Sequence, residues 1–204
     1  LNSESDKHLF TSPRTTQSYL ESLESLKQLT DKADILSALE RISELTAQEA
    51  QMDTIEGTTR QREQGIYYTS FKLAQFLVDD AVRRSSKSQP TFLEPCVGGG
   101  AFLFAFIENQ MDKANPNEFD LLSVFSRCFI ADNDELAVHR LLETLSIYVQ
   151  ARFGLKVEFP SDNVLVGDSL LEQVNDSFTL RNLKQYFNAP SGFDIIVTNP
   201  PYKS

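Results

Sequence analysis

The four residues Asn199-Pro200-Pro201-Tyr202 come directly after the apolar run Phe193–Thr198, which predicts a buried strand. The two prolines fix the backbone and remove two N–H donors, so the Asn199 side-chain oxygen and the Pro200 carbonyl remain as acceptors able to converge on one amine. The ring of Tyr202 offers a face on which a planar base can stack. This combination favours chemistry on the amino group of a nucleobase over an accidental turn.

A second group of candidate residues runs from Glu94-Pro95, at the end of a predicted strand, to Gly98-Gly99-Gly100, at the start of a predicted helix. Glycines let the backbone adopt unusual dihedral angles and let a ligand approach closely. A carboxylate at this position would repel a phosphate but attract an amino group. On its own, a triple glycine before a helix is equally typical of a plain tight turn.

Two further acids end predicted strands, Asp132 before Asn133 and Asp168 before Ser169. In open α/β sheets a carboxylate at the position of Asp132 meets the two hydroxyls of a ribose. Asp134 is predicted to be the N-cap of the next helix, which leaves Asp132 for a ligand. Although Asp168 alone is typical of a turn, three acids at successive strand ends predict a nucleoside pocket that tolerates a positive charge.

The elements that must position these residues alternate between short β-rich runs and helical stretches. The predicted strands are Thr91–Leu93, Cys128–Ala131, Val164–Val166 and Phe193–Thr198. The predicted helices are Phe71–Arg84, Ala101–Asp112, Leu136–Phe153 and Phe178–Phe187, with an inserted loop around Asn115-Pro116-Asn117. This alternation predicts an α/β fold with parallel strands joined by right-handed crossovers. The apolar strands predict burial on both faces of the sheet.

Residues 1–17 are polar and predict a loose lead-in, whereas Ser18–Asp53 has the periodicity of two amphipathic helices with a break near Thr30. The residues on the predicted apolar faces are Leu20, Leu23, Leu26 and Leu29, then Leu36, Leu39, Ile42 and Leu45. The favoured interpretation is a helical hairpin packed on the next domain, and the alternative is a partner-binding coiled coil. The sequence thus predicts two parts, the lead-in and hairpin over 1–57 and the α/β domain over 58–204.

The composition is that of an ordinary globular protein, with 41% hydrophobic and 24% charged residues. No apolar run approaches the ~20 residues that cross a bilayer, and no signal-peptide pattern opens the chain, so a cytoplasmic protein without a membrane span is expected. Cys96 and Cys128 are expected to be reduced and buried in apolar surroundings. His8 and His139 have no neighbours at metal-ligand spacing, so no metal site is expected.

The net charge of −10 is spread evenly over residues 1–60 and 61–204. Neither part clusters the lysines and arginines that neutralise nucleic-acid phosphates. If the protein works on a duplex, most of the surface that grips it is expected to lie outside this chain.

The order of these motifs resembles that of the adenine-N6 DNA methyltransferases of the gamma arrangement, which occur in restriction–modification systems. The matching segments are, in order, Gly65–Ser70, Glu94–Gly100, Asp132, Asp168 and Asn199–Tyr202. The similarity covers about residues 60–204, and the combination is specific even where single motifs are not. It implies a Rossmann-like sheet that binds S-adenosylmethionine. This chain would hold its first four strands, preceded by the helical segment and truncated after the tetrapeptide.

The resemblance implies transfer of a methyl group from S-adenosylmethionine to the N6 amine of adenine in DNA. The residues implied to bind the cofactor are Tyr68, Thr69, Glu94, Pro95, Gly98, Gly100, Asp132, Asn133, Asp168 and Ser169. In the family, the segment matching Tyr68 and Thr69 closes over the methionine part of the cofactor. Glu94, Asp132 and Asp168 are expected to contact its amino group, its ribose and its adenine side.

The residues implied to carry catalysis are Asn199, Pro200, Pro201 and Tyr202. The asparagine oxygen and the first proline carbonyl would accept the two hydrogens of the target amine, without a metal, while the tyrosine stacks on a base flipped out of the duplex. The chain departs from the family pattern in three places. Glu94 replaces an aspartate and keeps its charge, Cys96-Val97 replaces a small residue and a thiol, and Asn133 replaces an apolar residue that packs on the cofactor adenine.

Three other functions share parts of this pattern: methyl transfer to guanine N2 in RNA, methyl transfer to a release-factor glutamine, and a non-catalytic methyltransferase-like subunit. The segment Gly65–Ser70 favours DNA, and the intact tetrapeptide argues against a purely structural role. The resemblance also implies that DNA is contacted through a target-recognition region absent from this chain. These 204 residues alone are therefore expected not to methylate DNA detectably.

Overall fold

The computed structural model describes residues 13–52, 69–112, 115–167, 169 and 180–200. The helices in these ranges are α1 Pro13–Gln28, α2 Lys32–Met52, α3 Phe71–Arg84, α4 Ala101–Gln110, α5 Glu118–Phe125, α6 Glu135–Phe153 and α7 Leu180–Tyr186. The strands are β1 Phe92–Glu94, β2 Cys128–Asp132, β3 Val164–Val166 and β4 Ile195–Ile196, and a 3-10 turn covers Ser161–Asn163. No helix in these ranges is both long and apolar enough to cross a membrane.

The four strands form one parallel sheet in the order β3-β2-β1-β4. The chain therefore moves outward from β1 through β2 to β3, and then crosses back to the other side of β1 to form β4. In open sheets of this kind, ligands bind beside the carboxyl ends of the strands where the order reverses. The predicted α/β fold with parallel strands is confirmed, and its reversal point lies between β1 and β4.

The two central strands are covered on both faces, because their alternate side chains enter two different cores. Phe92 and Ile130 lie in the larger core with the apolar faces of α1 to α6. The smaller core, on the opposite face, contains Leu93, Phe129, Ala131, Leu165, Leu183 and Phe187. The expected burial on both faces holds for the two central strands only. Val166 of β3 and Ile196 of β4 are each 48% exposed, since these strands have a neighbour on one side only among the described strands.

Helices α1 and α2 form an antiparallel pair whose apolar residues belong to the larger core of the sheet. The buried members are Tyr19, Leu23 and Leu26 of α1, and Ile35, Leu39 and Ile42 of α2. The prediction of Leu20 as a core residue is wrong, since it is 46% exposed and Tyr19 is buried instead. The predicted face used a repeat of three residues, and each step of three falls about 60° short of a full helical turn. Alternating steps of four and three residues, such as Tyr19, Leu23 and Leu26, stay on one face of the helix.

Other boundaries also differ from the prediction. Helix α1 begins at Pro13, inside the expected lead-in, because proline is well tolerated in the first turn of a helix. The loop predicted around Asn117 leads into α5, where Asn117 and Asp120 form a capping box. Strand β4 is shorter than the predicted Phe193–Thr198, since its only described partner is the three-residue strand β1.

Candidate functional site

Two of the predicted acids are the last residues of the two central strands. Glu94 ends β1 and Asp132 ends β2, and the strands pair in parallel with Glu94 opposite Ile130. Their carboxylates therefore lie at the same edge of the sheet, next to the reversal point. The segment after β4 runs along this edge as well, because the Val197 N–H donates to the carbonyl of Leu93 at 3.2 Å.

Glu94 is 2% exposed, and its Oε2 accepts a hydrogen bond from the backbone N–H of Leu103 at 3.0 Å. Leu103 lies in the first turn of α4, whose N-cap Gly100 has no side chain to satisfy that donor. The strand carboxylate thus replaces the missing cap. Burial raises the pKa of Glu94 well above its usual value; the Leu103 bond opposes this, and the nearby Asp132 adds to it.

Asp132 holds the glycine turn against the end of β2. Its Oδ2 accepts from the Gly98 N–H at 2.7 Å, and its Oδ1 accepts from the Asp134 N–H at 3.0 Å. Burial raises the pKa of Asp132, although the two backbone bonds oppose the rise. Each carboxylate oxygen has two lone pairs, so the group can still accept hydrogens from a ligand. Asp134 caps α6 as predicted, accepting from the Ala137 N–H at 3.1 Å.

The glycine turn combines tight packing on its inner side with open space in front of Asp132. Gly98 and Gly100 have φ of +47° and +77°, a backbone conformation that residues other than glycine rarely adopt. A Cβ on Gly100 would also collide with Leu141 of α6. A Cβ on Gly98 would have no described atom within 4 Å, so a ligand has room to approach beside Asp132.

The expectation of apolar surroundings holds for Cys128, which is buried in the larger core, but is wrong for Cys96, which is half-buried among polar groups. Burial raises the pKa of Cys96 to about 11; the nearby Thr198 and Ser169 hydroxyls oppose the rise, and Asp132 adds to it. The thiol is therefore protonated at neutral pH. Ser169 is buried and donates its hydroxyl to the Pro95 carbonyl. This hydrogen bond between Ser169 and Pro95 stabilises the protein itself.

Asn199 links the end of the described chain to the segment before α3. Its Nδ2 donates to the Thr69 hydroxyl oxygen at 3.0 Å, across 130 positions in sequence. Both residues were predicted site residues from separate motifs, and the structure brings them together at the edge that carries Glu94 and Asp132. The preceding Thr198 was not predicted. Its Oγ1 is buried and makes no well-formed hydrogen bond in the described part of the chain, although it lies beside the Cys96 thiol.

The remaining predicted residues are placed as follows. Asn133 is exposed beside Asp132, and Pro200 is half-buried. The predicted residues outside the described ranges are Tyr68, Asp168, Pro201 and Tyr202. Within those ranges, no three histidine, cysteine or acidic side chains are grouped closely enough to hold a metal ion.

Comparison with known proteins identifies a structural neighbour but no family. No family model matches the sequence. No curated protein matches it either. Among solved structures, the chain is similar to a chain of the DrdV–DNA complex determined by cryoEM, with 20% sequence identity and a TM-score of 0.56. The match covers 86% of this chain and 17% of that chain, so this chain spans less than a fifth of its neighbour. At this identity the likeness concerns the fold.

Proposed function

We propose that this protein transfers a methyl group from S-adenosylmethionine to the N6 amine of adenine in DNA, as a site-specific methyltransferase with a Rossmann-like sheet that serves restriction–modification or DNA protection. The observation that carries the proposal is the hydrogen bond between Asn199 and Thr69. It joins the start of the amine-binding tetrapeptide to the segment expected over the cofactor, beside the acids Glu94 and Asp132. The likeness to a protein solved in complex with DNA supports DNA as the substrate.

The described residues fit S-adenosylmethionine by charge and by space. Glu94 suits the cationic amino group, Asp132 suits the two ribose hydroxyls, and the free space at Gly98 would admit a ligand beside Asp132. The cofactor carries a sulfonium, so a site with several acids favours it over a phosphate-bearing nucleotide. When bound, it supplies the electrophilic methyl group.

The residues at the end of β4 would activate the target amine. The lone pair of an adenine N6 amine is delocalised into the ring, which makes the nitrogen a poor nucleophile. Because Nδ2 of Asn199 donates to Thr69, the amide oxygen Oδ1 is oriented as an acceptor, and the Pro200 carbonyl is the second. Together they would accept both amine hydrogens and localise the lone pair. The target base must leave the duplex to reach them, and Tyr202 would stack on it.

The net charge of −10 means that this chain brings little attraction for phosphates. We therefore assign the main duplex contacts to a target-recognition region outside it. The decisive test uses the full-length protein with labelled S-adenosylmethionine and, separately, DNA, RNA and release factor. We expect label in DNA and N6-methyladenine after digestion. Label in RNA guanine or in the release factor would identify one of the alternative enzymes, and no cofactor binding would indicate a non-catalytic subunit.

Asp132→Ala is expected to weaken S-adenosylmethionine binding about 5- to 150-fold in calorimetry. The change removes hydrogen bonds to two ribose hydroxyls, each worth roughly 0.5–1.5 kcal/mol, and also releases the Gly98 N–H. The matched control is Asp134→Ala, two positions along, which removes the cap of α6 and leaves the bond between Asp132 and the Gly98 N–H in place. That control should lose about 1 kcal/mol of stability and keep its cofactor affinity. Unchanged affinity in Asp132→Ala would exclude a ribose contact for this residue.

Cofactor binding is expected to release up to about one proton per site from Glu94. Burial holds the carboxyl pKa high without ligand, and a cationic amino group beside it favours the ionised form, so affinity should rise with pH up to that raised pKa. Calorimetry in two buffers of different ionisation enthalpy counts the protons. Glu94→Gln keeps an acceptor for the Leu103 N–H and should abolish the release. Equal proton release in Glu94→Gln and wild type would assign the proton to another group.

A further inference from the structure

Helix α2 of the N-terminal hairpin reaches the glycine turn. The buried Ser43 donates its hydroxyl to the Gly99 carbonyl at 2.7 Å, across 56 positions in sequence. The two backbones are also in close contact, because a Cβ on Gly99 would lie 2.9 Å from the Ser43 Cα. The Gly98 N–H also donates to Asp132. The glycine turn is therefore hydrogen-bonded both to the hairpin and to the end of β2.

The same face of α2 reaches the start of α3. Glu40, three residues before Ser43 and thus on the same helical face, accepts from the Phe71 N–H at 3.3 Å through its Oε1. Phe71 follows Thr69 by two positions, and Thr69 accepts from Asn199. One face of α2 therefore touches both backbone segments that are expected to enclose the cofactor.

The direction of the Ser43 hydrogen bond distinguishes it from ordinary helix packing. Buried or half-buried serine and threonine hydroxyls in helices usually bond to the carbonyl four residues earlier. Ser22 in α1 does so with Ser18, and Thr46 in α2 does so with Ile42. Ser43 lies three residues before Thr46 in the same helix, but its hydroxyl donates to the Gly99 carbonyl of the glycine turn and not to a carbonyl of α2.

We propose that Ser43 is a positioning residue for the cofactor-binding turn, which makes the hairpin part of the methyltransferase site. The inference rests on the proposed function, because the ligand of the turn is taken to be S-adenosylmethionine. Ser43 fixes the carbonyl of Gly99, and because this carbonyl and the Gly100 N–H share one peptide plane, the orientation of the Gly99–Gly100 peptide is fixed with it. Without that bond the turn can rotate, and part of the binding free energy must be used to order it.

Ser43→Ala is expected to raise the dissociation constant for S-adenosylmethionine, and its KM, by about three- to tenfold. The kcat at saturating cofactor should change by less than about twofold, because Asn199 and Thr69 keep their hydrogen bond. Thr46→Val is the matched control, since it removes a buried hydroxyl from the same helix without touching the turn. It should leave the KM and dissociation constant unchanged.

Calorimetry with S-adenosylmethionine on the full-length protein separates the possible failures. If the wild type does not bind it, the proposed function fails together with the inference. If the wild type binds and Ser43→Ala binds equally well, only the inference is overturned. Equal weakening by Ser43→Ala and Thr46→Val would also overturn it, since general loosening of α2 would then explain both. Ser43→Cys keeps the shape with a weaker donor and should shift affinity in the same direction, should the alanine variant not fold.

Discussion

Replacement of Asn199 by alanine is expected to lower kcat for methyl transfer by about 10²–10³-fold or more, while the affinity for S-adenosylmethionine stays within about twofold of wild type. The loss has the size seen when one preorganised group that stabilises developing charge is removed from an active site. The amide oxygen would contact the target amine, while the amide nitrogen donates to the Thr69 hydroxyl. Single-turnover methylation of DNA and calorimetry with the cofactor measure the two quantities separately.

Thr69→Val is the informative companion to this experiment. It removes the hydroxyl that accepts from the Asn199 amide while it keeps the side-chain volume. We expect a smaller loss of kcat than in Asn199→Ala, and recovery in Thr69→Ser, which restores the acceptor. The exposed Asn115 provides a control, and its change to alanine should alter neither quantity. If Asn199→Ala reduced cofactor affinity and turnover in equal measure, the amide would belong to the cofactor pocket.

The edge of the sheet that carries the candidate site could be predicted from the sequence. Parallel strands end at one edge, so acids at strand ends must lie near each other whatever the details of packing. For this reason Glu94 and Asp132 were placed correctly at neighbouring strand ends.

The contacts that support the site could not be predicted in the same way. Hydrophobic periodicity identifies which face of a helix is buried, but it does not name the partner of a polar side chain on that face. In the sequence, Ser43 has no feature that distinguishes it from other small residues of a helix, and its bond to Gly99 is visible only in the structure. The caps differ because they are local. Asn117 and Asp120 carried a capping-box signal in the sequence, and α5 was missed although that signal was present.

Glu94 shows how one residue can satisfy a sequence pattern and also have a second structural task. Its position predicted a ligand contact, and the structure shows that it caps α4 as well, in place of the side chain that Gly100 lacks. The glycine is needed because φ is +77° and Leu141 fills the space of a side chain. Under the proposed function, the carboxylate that is expected to contact the cofactor also caps α4, so a movement of α4 would displace it.

Helix α4 also carries one of the polar contacts between the sheet domain and the hairpin, at Glu108. This side chain is 2% exposed and follows the apolar run Ala101–Ile107 of the helix, and it binds three donors. The Tyr148 hydroxyl and the Arg152 Nε of α6 donate at 2.8 Å each, and the Lys32 ammonium at the start of α2 lies at 2.8 Å. A buried carboxylate is tolerated here because its oxygens are paired with charged and neutral donors.

Glu108→Ala is expected to lower the free energy of unfolding by about 3 kcal/mol, measured by urea denaturation. Removing one partner of a buried ion pair costs about 3–5 kcal/mol. We expect the low end of this range because Lys32 is 44% exposed and its ammonium can return to water. The remaining cost comes from the buried Tyr148 hydroxyl, which loses its hydrogen-bond partner. The matched control is Glu24→Ala, which breaks a surface pair with Lys27 and should leave the urea midpoint unchanged within error.

The same carboxylate predicts how stability depends on pH. Burial alone would raise the pKa of Glu108, but the hydrogen bonds from Lys32, Arg152 and Tyr148 outweigh it, and the pKa is lowered from the usual value of 4.5. A lowered pKa in the folded state means that the contribution to stability is present above pH 4.5 and is lost as the pH falls through the lowered value. Glu108→Gln should therefore be less stable than the wild type at pH 7, and this difference should shrink as the pH falls below 4.5 through the lowered pKa of Glu108. A constant difference between Glu108→Gln and wild type across this range would show that the side chain is not ionised in the folded protein, and the assignment of an ion-paired link between hairpin and sheet would be wrong.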